Sequence, residues 1–139
     1  MKNTQLVKTI FINSDPDTVW QHLTDKDKLG EWFHPSANDL KANTDYQLLN
    51  DKGGKICWGR VTEYEVPKRL VYTFTHNHLK GVESIVVWEL SSVHGGTKLV
   101  LTHSGFEAAN TNTFDLLIDH DKGWDDHFSR LREKACTKP

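Results

Sequence analysis

Apolar and polar residues alternate with a period of two over residues 4–13, so a strand is expected there. It carries Val7, Thr9 and Phe11 on one face and Leu6, Ile10 and Ile12 on the other. Ser14-Asp15-Pro16 then supplies a helix start, a capping oxygen followed by a proline suited to the first turn. Val19, Trp20 and Leu23 recur behind it at helical spacing. Thr24-Asp25 is a second cap, opening a brief helix through Leu29 and Trp32 that must stop before Pro35. From residue 39 the period returns to two. Residues 39–49 form a weakly patterned strand, and Asp51-Lys52-Gly53-Gly54 makes a hairpin turn. Residues 55–66 alternate well, with Ile56, Trp58, Arg60, Thr62 and Tyr64 sharing a face. After a turn at Pro67-Lys68, residues 69–76 carry Leu70, Tyr72, Phe74 and His76 on one side. A polar connection over residues 77–81 leads to a strand at 83–90 that groups Val86, Trp88 and Leu90, with Glu83 and Glu89 opposite. Gly95-Gly96 reads as the next hairpin turn, after which residues 97–103 align Leu99, Leu101 and His103. Residues 104–113, holding Gly105 and Phe106, are expected to form a loop.

The pattern changes once more over residues 114–135. Leu117, Trp124, Phe128, Leu131 and Ala135 follow at spacings of 7, 4, 3 and 4, one apolar stripe on a long helix. Gly123 inside it costs about 1 kcal/mol against alanine, which suggests a close approach to another backbone. An antiparallel sheet with one apolar face needs a cover, and this helix is the only long amphipathic element left to supply it. The expected fold is therefore α+β, a helix-grip arrangement over residues 1–139 in a single domain. A curved antiparallel sheet, two short helices and a long C-terminal helix would enclose a cavity.

Composition narrows the function classes. At 139 residues, 37% hydrophobic and 26% charged, the chain has an ordinary globular balance and can bury a core without disulfides. The net charge of −2, with no basic run, argues against a general nucleic-acid binder. No apolar stretch approaches the roughly 20 residues of a membrane span, and none resembles the core of an export signal. Two cysteines, Cys57 and Cys136, are then expected as reduced thiols in a cytoplasmic protein.

Several blocks resemble a known family. Asn13-Ser14-Asp15-Pro16-Asp17-Thr18-Val19-Trp20, Leu23-Thr24, Leu29 and Glu31-Trp32-Phe33 resemble the opening of the SRPBCC (START-like) superfamily. The match is to its bacterial branch related to the C-terminal domain of the heat shock protein 90 ATPase activator. Gly59-Arg60-Val61, the run from Pro67 to Phe74, Gly96-Thr97-Lys98-Leu99, Thr102-His103-Ser104-Gly105-Phe106, and Gly123-Trp124 with Leu131 continue it in order. The resemblance implies the helix-grip fold and a ligand space under the long helix. Superfamily members include lipid carriers, hormone receptors and polyketide cyclases, and shared fold does not carry shared function. No chaperone-binding domain of the eukaryotic co-chaperone's kind is expected with this chain, so a chaperone contact ranks last among the expected roles.

The expected pocket wall is Trp58, Tyr72, Phe74, Trp88, Leu101 and His103 from the strands, with Trp124 and Phe128 from the helix. Trp32 and Phe33 are expected at its mouth, with Phe106 beside it. Each aromatic has a competing reading as plain core. His103 is the leading polar candidate, either a ligand's hydrogen-bond partner or a core imidazole satisfied by a neighbouring hydroxyl or carbonyl. His120 and His127 flank Trp124, about 10 Å apart along the helix axis, too far to share a metal. No HExxH, CxxC or G-x-S-x-G motif is present, and no metal or other cofactor is expected. Cys57 is expected on the strand face opposite Trp58. Arg60 and Glu63 read as a solvated pair, and Asp119, Asp121, Asp125 and Asp126 as the solvent side of the last helix. The first expected role is a carrier or sensor of a small hydrophobic, aromatic or lipid-like molecule. The second is a cyclase- or hydratase-type enzyme using His103 or Tyr72.

Overall fold

A computed structural model describes residues 5–76, 82–106 and 113–136; the expected connection at 77–81 and residues 107–112 of the expected loop lie outside the described residues. Strand β1 (Gln5–Ile12) leads into helix α1 (Pro16–Thr24), whose cap is Asp15: its carboxylate accepts the Thr18 N–H at 2.8 Å. Asp25 ends α1 and starts α2 (Lys26–Trp32), accepting the N–H groups of Asp27 and Lys28 at 2.9 and 3.0 Å. Those bonds, the one from Lys28 foremost, hold its carboxyl below the usual range. Five further strands follow: β2 (Asp45–Leu49), β3 (Lys55–Glu65), β4 (Arg69–His76), β5 (Ser84–Val93) and β6 (Gly96–Ser104). Helix α3 (Thr113–Ala135) is last. The strands form one antiparallel sheet in the order β1-β6-β5-β4-β3-β2, so the connection through α1 and α2 runs from one edge to the other. This is the expected α+β helix-grip fold.

The core lies between the sheet and the helices. Ile10 and Ile12 of β1 point into it, while Val7 and Phe11 on the alternate face are exposed. Leu70, Tyr72 and Phe74, then Val86, Trp88 and Leu90, then Leu99, Leu101 and His103 line it from three adjacent strands. Phe128, Leu131 and Ala135 close it from α3. The stripe departs from expectation at its first turn, where Leu116 is buried and Leu117 only half-buried.

Four local readings are corrected. The weak strand is only five residues long, preceded by a lone bridge from Ser36 to Leu48. The hairpin after β5 turns on His94-Gly95, both at positive φ, and Gly96 already pairs with Val93. Arg60 pairs with Asp45 rather than Glu63, and Arg69 takes both Glu63 and Glu89. Two of the acidic residues on α3 are not simply solvent-facing: Asp121 and Asp125 both grip Lys8 of β1, at 2.6 and 2.7 Å.

Gly123 is also corrected. A β-carbon there meets no described atom within 4 Å, so no described backbone approaches it; a close approach is found instead at Gly59. A β-carbon on Gly59 would overlap the carbonyl of Thr73 on β4. Opposite outcomes are expected for the same substitution. Gly123→Ala should raise stability by up to about 1 kcal/mol through helix propensity, and Gly59→Ala should lower it by roughly 1–3 kcal/mol through overpacking. Urea denaturation of both variants checks this, and a destabilised Gly123→Ala protein would contradict it.

Candidate functional site

Where α3 faces β3 and β4, the helix does not close onto the sheet, and a pocket of about 230 Å³ remains. Its apolar wall is Phe33 at the end of α2, Phe74 of β4, and Leu116 and Trp124 of α3. Phe33 stacks on Trp124 and on Phe74, with ring centroids 5.2 and 6.3 Å apart. On α3 the pocket face is Leu116, His120, Gly123, Trp124 and His127, which recur at helical spacing one step round from the core stripe. The open space at Gly123 is pocket space. Polar atoms come from four histidines, His34, His76, His120 and His127, with Asp119 on the α3 side and the Cys57 thiol from β3.

Of the expected wall, Phe33, Phe74 and Trp124 line this pocket and the rest does not. Trp58 is a correction of parity. Val61 must point inward, where it is fully buried, and alternation before the bulge at Val61/Glu63 then turns Cys57 inward and Trp58 out. On that outer face Lys55 lies 4.5 Å from the Trp58 ring centroid. Trp32, Tyr72, Trp88, Leu101, Phe106 and Phe128 are core. The Trp32 indole donates to the His22 carbonyl at 2.7 Å, and the Trp88 indole to the Tyr72 hydroxyl at 3.0 Å. Phe106 packs on His103, Phe128 on Trp88. All six are buried, and none lines the pocket.

His103 follows its core reading. It is fully buried, and both ring nitrogens are occupied. The Trp124 indole N–H donates to Nδ1 at 3.1 Å, which requires Nδ1 to be bare and Nε2 to carry the proton. Nε2–H then donates to the Ser84 hydroxyl at 2.7 Å, and that hydroxyl donates to the Phe74 carbonyl at 2.6 Å. Burial first, then the charges of His120 and His76, holds the imidazole well below its usual pKa. Tyr72 is buried behind the pocket as well, and burial pushes its hydroxyl upward. Neither residue reaches the pocket as the polar catalytic group that an enzyme would need.

The polar residues that sequence reasoning missed left legible traces. His76 falls on the inward parity of β4 with Phe74, and His120 and His127 were visible beside Trp124. Their spacing excludes a shared metal and sets both beside the apolar stripe, and in the structure both line the pocket. Among the described residues no group of three or more His, Cys, Asp and Glu side chains is arranged to hold a metal ion. His76 and His120 instead bond each other, Nε2 to Nε2 at 2.9 Å, with His120 Nδ1 against the Leu116 carbonyl at 2.7 Å. With both rings neutral, His76 donates and His120 accepts.

His127 is fixed by Arg130. The guanidinium has no acceptor, so its 2.7 Å contact to Nδ1 makes that nitrogen the acceptor and leaves the proton on Nε2. The Trp32 carbonyl lies 3.3 Å from the same nitrogen, too long a contact to displace the guanidinium. That carbonyl instead accepts from the Arg130 Nε at 3.1 Å. Burial, then the charges of His34 and Arg130, bring His127 down to about 4. Burial and Arg130 also lower His34, with Asp51 opposing. Burial alone pushes the Cys57 thiol up to about 12, so it stays protonated.

Three histidines with lowered pKa values give an acid-sensitive fold. Each is neutral when folded and binds a proton near pH ~6.5 when unfolded, so the unfolded state takes up more protons below that value. Their contribution is complete above pH ~6.5 and is lost as pH falls toward the lowered values. The urea midpoint should therefore be flat from pH 8 to 7 and fall steadily from 6.5 to 5, above the carboxylate range. A midpoint that holds or rises between pH 7 and 5 would contradict this.

Comparison with known proteins follows the fold. No curated protein matches the chain. The X-ray structure of protein MLL2253 from Mesorhizobium loti superposes with a TM-score of 0.80 at 23% identity, covering 94% of this chain and 96% of that one. The crystal structure of CalU16 from Micromonospora echinospora gives 0.78 at 21% identity, covering 97% and 78%. An HSP90 activator from Plasmodium falciparum gives 0.73 at 21% identity, covering 91% and 92%. At these identities the likeness is one of fold. Among the described residues no helix is long and apolar enough to cross a membrane. Residues 13–135 match the family described as activator of Hsp90 ATPase homolog 1-like protein, and the chain belongs to that family, within the SRPBCC superfamily.

Proposed function

We propose that the chain binds a small, flat, largely apolar molecule in the pocket between α3 and strands β3 and β4. The observation that supports it is the pocket itself: about 230 Å³ of space walled by Phe33, Phe74, Leu116 and Trp124, held open at Gly123. That volume lies below the roughly 300–1,000 Å³ of pockets that take drug-sized ligands. It favours a one- or two-ring aromatic over a long-chain lipid. Stacked aromatic walls with polar groups at one side match how such sites combine apolar area with a few orienting hydrogen bonds. A carrier or sensor role fits better than catalysis, because His103 and Tyr72 are committed to the core. A role beside an Hsp90-type chaperone draws only on the family description and on the fold shared with the Plasmodium HSP90 activator, and it ranks second.

Filling the pocket tests the reading. Gly123→Leu projects a side chain into the pocket from a position where a β-carbon meets no described atom within 4 Å, so the fold should survive while the ligand volume disappears. Titration with 2-naphthol, followed by tryptophan fluorescence, should show saturable binding to the unmodified protein and a loss of about tenfold or more in Gly123→Leu, the equivalent of 1.4 kcal/mol. Palmitate should not compete. Equal 2-naphthol binding by both proteins, or none by the unmodified one, would overturn the proposal.

A further inference from the structure

The polar side of the pocket carries more information than its walls. His76 and His120 spend nitrogens on each other. His127 holds Nδ1 against Arg130, so its Nε2–H sits on the opposite ring edge, with no partner among the described residues. His34 lines the same pocket, 5.3 Å from His127 between ring centroids, and neither of its ring nitrogens is hydrogen-bonded among the described residues. No buried polar side-chain atom in the described structure lacks a partner, so these nitrogens are reachable from the pocket or from solvent. They form one fixed donor and one imidazole free to change its protonation. Phe33 stands between them and the apolar wall, 4.7 Å from His34 and 4.6 Å from His127 between ring centroids.

We infer that the pocket's ligand is an aromatic carboxylate, its ring against Phe33, Phe74 and Trp124 and its carboxylate held between His127 and His34. This rests on the ligand-binding reading above and names its chemical class. His127 supplies a neutral donor, Nε2–H, because Arg130 occupies its other nitrogen. His34 supplies the charge: as the anion enters, His34 takes a proton from solvent and becomes an imidazolium paired with it. Arg130 adds positive charge from behind His127, and burial first, then this charge, lowers the His34 pKa. The acids around the pair are Asp51 towards His34 and Asp126 towards His127, with Asp119 on the α3 side of the pocket. None of the three is in an ion pair with either ring. Carboxylate binding should therefore be coupled to uptake of one proton, and binding of a neutral analogue should not.

The test uses two ligands of one shape, 2-naphthoate and 2-naphthamide, measured by titration calorimetry at pH 7.5 and 5.5 in two buffers of different ionisation enthalpy. The naphthoate should tighten by about tenfold or more at the lower pH, since full coupling is worth tenfold per pH unit. The buffer difference should report net proton uptake. The naphthamide should bind without either effect. In His34→Gln, naphthamide should still bind saturably and without pH dependence, which also shows the fold intact, while the pH dependence and proton uptake of naphthoate vanish. If naphthamide binds and naphthoate shows no pH dependence or proton uptake, the inference falls and the pocket reading stands. If His34→Gln keeps the full naphthoate pH dependence, the assignment to His34 falls. If neither ligand binds, both readings fall together.

Discussion

Helix α3 is anchored to the sheet by one buried relay, and much of the site depends on it. Trp124 donates to His103, His103 to Ser84, and Ser84 to the Phe74 carbonyl, so a single chain of hydrogen bonds joins α3 to β6, β5 and β4. Every member is buried, so each unmade bond would carry the full cost of a desolvated polar group, roughly 1–3 kcal/mol. The relay sets the rotation of the helix. With Trp124 turned to His103, Phe128 and Leu131 fall onto the core, and Gly123, His120 and His127 are left facing the pocket. Trp124 is at once an anchor and a wall.

The same rotation explains why the pocket is small and where its polar groups lie. The C-terminal half of α3 closes tightly through Phe128, Leu131 and Ala135. The face that runs from Leu116 to His127 does not, because it presents a glycine and two histidines, His120 and His127, whose nitrogens need partners. The His76–His120 bond and the Arg130 contact to His127 satisfy part of that need across the gap. The ring nitrogens of His34 and His127 that have no partner among the described residues are what a ligand would meet.

Much of this order was readable in the chain. Alternation located five of the six strands closely, the Asp15 and Asp25 caps located both short helices, and the stripe from Trp124 to Ala135 located the gripping helix. The failures have physical causes. Alternation alone leaves open which face of β3 turns inward; the expected inward place of Trp58 fails because Val61, fully buried, takes the core side with Cys57. Gly123 was explained by a backbone approach when it borders empty space, a distinction that no single sequence contains. Inward strand position was also a poor guide to the pocket. Trp88, Leu101 and His103 point toward the helix yet are sealed under it, whereas Cys57 and His76, on strands where the helix stands off, reach the cavity. Which inward residues are covered depends on how the helix sits, and that is decided by the relay.

The central claim is that the space in front of Trp124 is the ligand site and that the core behind it is not. The chain has five tryptophans, and each contributes one indole N–H signal in an amide correlation spectrum. On addition of a neutral bicyclic aromatic, the account predicts shifts at the Trp124 indole and the Gly123 amide, with the Trp20 and Trp58 indoles unmoved. A response led by Trp58 or Trp20, with Trp124 and Gly123 unchanged, would contradict it.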